Sequence, residues 1–428
     1  MTETTNTAPS PIPRFRLPAG VGWTLKLLLI LFLLVPALIA LALITSMVRD
    51  RENFERDAIR DIAERWGGEQ RIAGPFLTLT CTDTFTRREE REGLPDVIRT
   101  VEDRDTYSFT AESVDLSVDL APESRRRGLF QAIVYSATAQ VDATFASKAA
   151  LEERLPKPRG SRDCAFEETL VSMGVSDAKR LSGAIDITFT GSKAPARPQS
   201  KAPKATSSGF HGEFDLSDSD ASTSLALSTT FDLKGSRLFT ATPTGRVFDF
   251  ALGGAWADPG FTGPFAATYE PQDDRFDASW SLTDIAHGVP DYWLESSSAG
   301  NLGFVAVGAE LIQTMRPYKQ LDRATKYGLL FFFVLMGFYF FSEVLSRRRL
   351  HPIQYATVLV PAAMFYILLL ALSEHIGFTW AYVVAAAGTV GSLVMYSSAT
   401  LGSLRRAVMM GGLIALLYTY LYFLLQLE

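Results

Sequence analysis

Residues Leu27–Met47 read LLLILFLLVPALIALALITSM. They form an uncharged run of about 20 residues, the length a helix needs at ~1.5 Å per residue to cross a ~30 Å hydrocarbon core. Four later stretches, Tyr327–Leu345, Ile353–Leu372, Gly377–Tyr396 and Ala407–Leu425, read the same way apart from Glu343 near the end of the first of them, whereas Arg49–Lys326 is rich in charge. Whole-chain averages over 428 residues, 47% hydrophobic and 21% charged, hide this contrast. The fold class is therefore an α-helical membrane protein with a large exported, mainly-β domain, one N-terminal and four C-terminal transmembrane helices. Its parts are a cytoplasmic tail (1–26), the first transmembrane helix (27–47), the exported domain (48–325) and a four-helix membrane domain (326–428).

Arg14, Arg16 and Lys26 precede the first run, and Ala40-Leu41-Ala42 fits a small-x-small cleavage pattern, so a cleaved signal peptide is the alternative to an anchor. Continuation of the run through Leu43, Ile44 and Met47 favours the uncleaved anchor, which tolerates Pro36. Lys and Arg beside helix ends stay in the cytoplasm. Arg347, Arg348 and Arg349 follow the second apolar run, Arg405 and Arg406 the fourth, and Ser373–Ile376 carries no Lys or Arg. The expected topology is a bacterial inner-membrane, multi-pass one, with the N-terminus cytoplasmic, the large domain periplasmic and the C-terminus outside. The longest cytoplasmic stretch is then the Pro-rich tail, too short for an ATPase, kinase or DNA-binding domain. A net charge of -6 without a clustered basic face gives no reason to expect a nucleic-acid partner.

Just past the first run, Phe54, Ala58, Ile59, Ile62, Ala63 and Trp66 recur at helical spacing among charges, predicting an amphipathic extension that ends at Gly67-Gly68. Gly74-Pro75 then opens a strand-like run, Phe76–Cys81. Alternation in Ser113–Leu120 and Ile185–Phe189 predicts half-buried strands. Ser192–Ser208, with Pro195, Pro198 and Pro203 among Lys, Ala and Ser, reads as a flexible insert between two β lobes, 67–191 and 209–320.

No Walker loop, metalloprotease His-Glu pair, paired-cysteine motif or Gly-x-Ser-x-Gly occurs. Ser176-Asp177-Ala178-Lys179 matches Ser-x-x-Lys by letter, but its companions Ser-Asp-Asn and Lys-Thr-Gly are absent, and we read it as chance. Arg125–Arg127 reads as a solvated turn, with an anionic lipid or glycan site as the alternative. His211 and His287 have no ligand-spaced carboxylate or cysteine nearby, so no metal is expected, and no cofactor is implied. Cys81 and Cys164 both lie in the exported domain, where a single bridge competes with two free thiols. The small residues Ala385–Gly388, Gly391 and Ser392 suit close helix packing.

Ionisable groups in or beside a membrane carry the strongest functional expectation, because burying charge in lipid is costly. Glu343 lies four residues before Arg347, where the two can pair and snorkel. His351-Pro352 opens the third helix as a cap would. Ser373-Glu374-His375 occupies the tight outer turn, where capping and a functional site are both open.

The stretches Ala324–Phe331, Leu350-His351-Pro352-Ile353-Gln354-Tyr355 and Leu372–Phe378 resemble the CreD family of inner-membrane cell-envelope integrity proteins. So do Trp66-Gly67-Gly68-Glu69-Gln70 before Gly74-Pro75, Arg127-Gly128-Leu129-Phe130, and Trp256 with Pro259, Phe261 and Gly263. The likeness runs from residue 50 onward and adds Gln354 and Tyr355 to the candidate residues. It implies a periplasmic domain, a link to envelope integrity and toxin tolerance, expression tied to a two-component system, and no known reaction. The Pro/Lys-rich insert departs from the family, as does the end at Gln426-Leu427-Glu428, where relatives usually continue into a further helix.

Two functions are thus in play. One is a non-enzymatic protein that supports envelope integrity by binding an envelope component or membrane protein partner through its periplasmic domain, with membrane lipid around its helices. The other is a membrane enzyme or transporter using the Glu374/His375 turn.

Overall fold

The computed structural model describes residues 19–89, 97–128, 130–271, 273–296, 305–312, 317–346 and 350–427. Most of the N-terminal tail and the Arg347–Arg349 run therefore lie outside the described residues. The chain divides into two compact units, Met1–Glu55 with Met315–Glu428, and Arg56–Thr314, the division falling within helix α1 (Ala19–Trp66).

The first unit is helical. Among the described residues, α1 and four C-terminal helices are long and apolar enough to span a membrane. On α1, Ile30, Leu34, Ala37, Leu41, Ile44 and Val48 are buried at alternating spacings of three and four, the stripe of a packed helix, while Leu31, Phe32 and Leu38 face outward. Pro36 lies inside this helix without ending it. The second spanning helix begins at Pro317, ten residues before the expected start, because Tyr318, Leu321 and Ala324 bury one face of its charge-rich opening turns. Lys326 and Asp322 pair at 2.7 Å on that opening segment. Close packing by small residues meets the expectation at Ala385, which is fully buried, and falls elsewhere for the glycines. Gly388 and Gly391 meet open space, whereas Gly411 abuts Val394 and Gly328 abuts Leu41, so these two are the glycines over which helices approach.

The second unit is a β-sandwich preceded by the end of α1. Its strands are, in order, β1 (Gln70–Glu89), β2 (Val97–Thr110), β3 (Ser113–Arg127) and β4 (Phe130–Phe145), then, after helix α2 (Lys148–Arg154), β5 (Ser161–Cys164), β6 (Thr169–Val175), β7 (Leu181–Ser182), β8 (Asp186–Phe189), β9 (Ser192–Pro195) and β10 (Arg197–Pro198). There follow β11 (Gly209–Phe214), β12 (Leu225–Ser236), β13 (Leu238–Thr242), β14 (Val247–Gly254), β15 (Pro259–Thr262), β16 (Thr268–Pro271) and β17 (Phe276–Thr283). A short helix α3 (Asp284–His287), β18 (Tyr292–Leu294) and β19 (Val307–Leu311) complete the unit. Helices α4 (Pro317–Ser346), α5 (Pro352–Ile376), α6 (Phe378–Leu401) and α7 (Leu404–Gln426) belong to the helical unit.

Among the described residues one sheet orders β10-β11-β6-β1-β13-β19-β15 and the other β16-β17-β14-β3-β4-β12-β8-β9, with β2, β5, β18 and β7 pairing off these paths. Alternation dictates the layering: Ser113, Asp115, Ser117 and Asp119 face out while Val114, Leu116, Val118 and Leu120 face in. Leu77, Leu79 and Phe109 of the first sheet share one core with Leu116, Val141, Phe231 and Phe250 of the second.

This arrangement corrects the two-lobe reading. Each sheet takes strands from both sides of the 192–208 insert; β14 even pairs with β3 in parallel, Asp249 opposite Asp115. Nor is the insert a free linker. Ser192–Pro195 and Arg197–Pro198 pair as strands, and the rest straps the outer face of the first sheet. Ala202 is fully buried there, Lys201 N donates to Ser172 Oγ (3.0 Å), and Lys204 N and Nζ donate to Glu295 Oε2 (3.3 Å) and Leu294 O (2.8 Å). Its composition resembles a linker because the strap is held by backbone and lysine hydrogen bonds rather than by large apolar side chains.

The four strands that end the two paths, β10, β15, β16 and β9, each contain a proline: Pro198, Pro259, Pro271 and Pro195. A proline cannot donate to a ladder, so these rims resist strand addition. Cys81 on β1 and Cys164 on β5 are directly opposed and joined by a disulfide (Cα–Cα 4.0 Å).

Candidate functional site

The membrane candidates separate into two clusters, one at each end of α5. At its start, His351 caps the helix: its Nδ1 accepts from Ile353 N (3.4 Å), while Gln354 Oε1 accepts from His351 N (2.9 Å), a reciprocal capping box followed by Pro352 at the first helical position. Next to this cap, Tyr355 OH donates to Glu343 Oε2 at 2.6 Å, with Tyr355 1% and Glu343 2% exposed. Tyr396 OH donates to Gln354 O (3.2 Å) from α6. One turn before Glu343 on α4, Tyr339 OH and Ser397 Oγ are bonded at 2.6 Å, both buried. The result is a set of hydroxyl bonds joining α4, α5 and α6 around one buried carboxylate. The Glu343–Arg347 pairing involves a residue outside those described.

At the other end, Ser373 Oγ donates to Leu370 O within its own helix (2.9 Å). Glu374 Oε1 accepts from Tyr318 OH at 3.0 Å and faces Arg51 Nε at 3.5 Å; the Glu374 side chain is only 9% exposed. His375 is exposed, and its Nδ1 donates to Ala371 O (3.1 Å). Neighbours on a helix point about 100° apart, so adjacency in sequence does not make a carboxylate–imidazole pair. The structure assembles Arg51 of α1, Tyr318 of α4 and Glu374 of α5 instead. Between the clusters lies an aromatic centre, Phe365 with Tyr366, Tyr382 and Tyr418 at ring separations of 5.0, 5.3 and 4.7 Å.

In the β unit the basic run has a structural task. Arg125 stacks over the Trp66 ring at 4.5 Å, Lys234 lies over the same ring at 4.7 Å, and Arg127 pairs with Asp61. Arg180 donates to the carbonyls of Glu64 and Arg65, the last acceptors of α1. Ser176 is not a nucleophile poised beside Lys179. Its hydroxyl lies 3.0 Å from Gln70 Oε1 and from Glu69 O and accepts from Arg71 N, and the motif spans a strand end and a short turn rather than one helix face. His211 Nδ1 donates to Gln199 O (2.7 Å). His287 is fixed as a neutral ring, its Nε2 donating to Gly245 O (2.9 Å) and its Nδ1 accepting from Val289 N (3.1 Å). Desolvation lowers its pKa below the usual imidazole value, outweighing the Gly245 bond and Asp284, which raise it.

The sequence profile of the family described as Inner membrane protein CreD matches residues 23–428, nearly the whole chain and all five spans. The chain belongs to the CreD family. Among curated proteins, Inner membrane protein CreD of Escherichia coli (strain K12) is 26% identical over 401 residues, covering 93% of this chain and 83% of the relative. Membership makes this an inner-membrane protein, with five apolar helices flanking a mainly-β domain.

Arg51, Tyr318, Tyr339 and Ser397 were not among the sequence candidates. Tyr318 has a legible signal, the three-residue spacing to Leu321 and Ala324. Arg51 has none beyond its place just after an apolar run, since its partner lies more than 300 residues away in sequence.

Proposed function

We propose that the protein supports cell-envelope integrity and tolerance of envelope stress or toxins from the inner membrane, its β unit periplasmic and binding an envelope component or a protein partner. The observation that carries this reading is where recognition surface is available. Gly377 alone connects α5 to α6, and Gly402-Ser403 connects α6 to α7, whereas Arg56–Thr314 offers two sheets with outer faces and cavities. The proline rims favour recognition through a face or cavity over strand addition. The N-terminus is cytoplasmic in this reading, which the loop charges support.

The test has two arms. A cytoplasm-active reporter fused after Arg349 and an export-active reporter after His375 should both work, and the reversed pattern overturns the topology. A deletion strain should lose tolerance of envelope stress, and the full chain should restore it; unchanged tolerance in the deletion overturns the role. The second reading, a membrane enzyme or transporter, draws on the largely buried Glu374 held by Arg51 and Tyr318. Accumulation of one defined lipid or periplasmic glycan in the deletion strain would favour it.

A further inference from the structure

In the β unit a cavity of ≈ 650 Å³ is walled by the turn Asp177–Lys179, Leu181, residues 183–185, the segment Pro195–Gln199, Ser207, Ser208 and the start of β11. That volume is in the range of small-molecule sites, which pair an apolar lining with a few placed polar groups. Here the floor is Leu181, Ile185, Ala196 and Phe210; Phe210 is buried, and the other three are half-buried against the sandwich core.

Charges on the rim are settled except for one. Asp177 pairs with Arg180 at 3.2 Å and accepts from Lys179 N, and Arg197 pairs with Glu213 at 2.5 Å. The exposed Lys179 ammonium has no ion pair or hydrogen bond among the described residues. An uncompensated cation thus stands at the edge of an apolar floor. Another part of the lining is held in place: Gln199 sits in the left-handed region at φ 73°, and its carbonyl accepts from the buried His211.

We propose that this cavity binds a single-chain anionic amphiphile, its acidic group at Lys179 and its alkyl body over Leu181, Ile185 and Phe210. A sugar would find hydroxyl partners in the lining Gln199, Ser207 and Ser208 but none on the apolar floor, and a cationic amphiphile would meet Lys179 with like charge. The inference rests on the reading that the β unit recognises an envelope component, and it gives that component a chemical class.

The test uses the full chain in phosphatidylcholine nanodiscs, with decanoate titrated calorimetrically and empty nanodiscs subtracted. Decanoate should bind saturably and decyltrimethylammonium should not. Lys179→Glu should weaken decanoate at least tenfold. Ala184→Trp, at an exposed position lining the cavity, should abolish binding while the far-UV circular dichroism stays unchanged. Lys179→Glu, also exposed, serves alone should the tryptophan variant misfold. No saturable decanoate binding, equal binding by the cationic analogue, or binding untouched by Lys179→Glu overturns the proposal. Because binding is read on purified protein and envelope tolerance in cells, failure of one test leaves the other standing.

Discussion

The two units bury polar groups by opposite means. In the β unit, ladders satisfy the backbone, and short side chains meet across strands: Thr78 with Ser108 at 3.0 Å, Thr80 with Thr106 at 3.3 Å. Lys148 is buried there with its ammonium donating to Leu216 O (2.6 Å) and Ser217 O (3.2 Å). In the helical unit the backbone ladders run within each helix, so among the described residues each polar link from one helix to the next has a side chain on at least one end. Tyrosine does most of this, through Glu343, Ser397, Glu374 and the Tyr418 carbonyl, which accepts from Tyr382 at 2.6 Å. The β unit is thus held by many redundant contacts and a cross-link, while the polar links between helices are few and individual.

The largest expected effect concerns the cross-link. Opening the bridge with Cys81→Ser/Cys164→Ser should destabilise the β unit by about 4 kcal/mol in the chain-entropy model, given the 83-residue separation, and leave the helical unit's own transition in place. Mass mapping of freshly isolated protein checks the premise, and two free thiols would remove it. A second experiment probes the helices: Tyr355→Phe should cost about 1–2 kcal/mol, because it strips a donor from a buried carboxylate. Tyr396→Phe, which loses a longer bond to a carbonyl, should cost less. Equal costs in thermal inactivation assays would erase the distinction between the two bonds.

Smaller still is a pH effect confined to the β unit. With its pKa lowered by folding, His287 binds no proton in the native state at a pH where the unfolded chain already does. Above about pH 6.5 both states are neutral and nothing changes. As pH falls through that value the unfolded state gains the proton, so stability drops until the native pKa is reached and then levels off. Comparing unfolding at pH 7.5 and 5.5, His287→Gln should lose less stability than the parent; equal losses would break the assignment. The smallest effect is expected at His375, where Ala should shift stability by no more than about 0.5 kcal/mol, as at other exposed positions.

What could be read in advance follows the same division. Spans were legible because length and missing charge are local properties, and strands such as Ser113–Leu120 because alternation is local too. Sheet order was not, since the partner of β3 on one side, β14, arrives more than 100 residues later and runs parallel. Glu343 was visible as an isolated intramembrane charge, but its described partner Tyr355 could be identified only through the fold. Glu374 was visible too, yet its neighbour in sequence is not its neighbour in space. The insert at 192–208 misled because proline and lysine signal a linker when nothing shows what lies beneath them.

Copies of a membrane protein share a single plane and a single direction, and two-dimensional confinement raises how often identical surfaces meet side by side. That is the arrangement in which open sheets polymerise rung by rung into filaments. Ring nitrogens without hydrogens at Pro195, Pro198, Pro259 and Pro271 interrupt that propagation at both borders of each sheet path. Crowding of this protein in its bilayer should therefore not chain one copy to the next through these four strands.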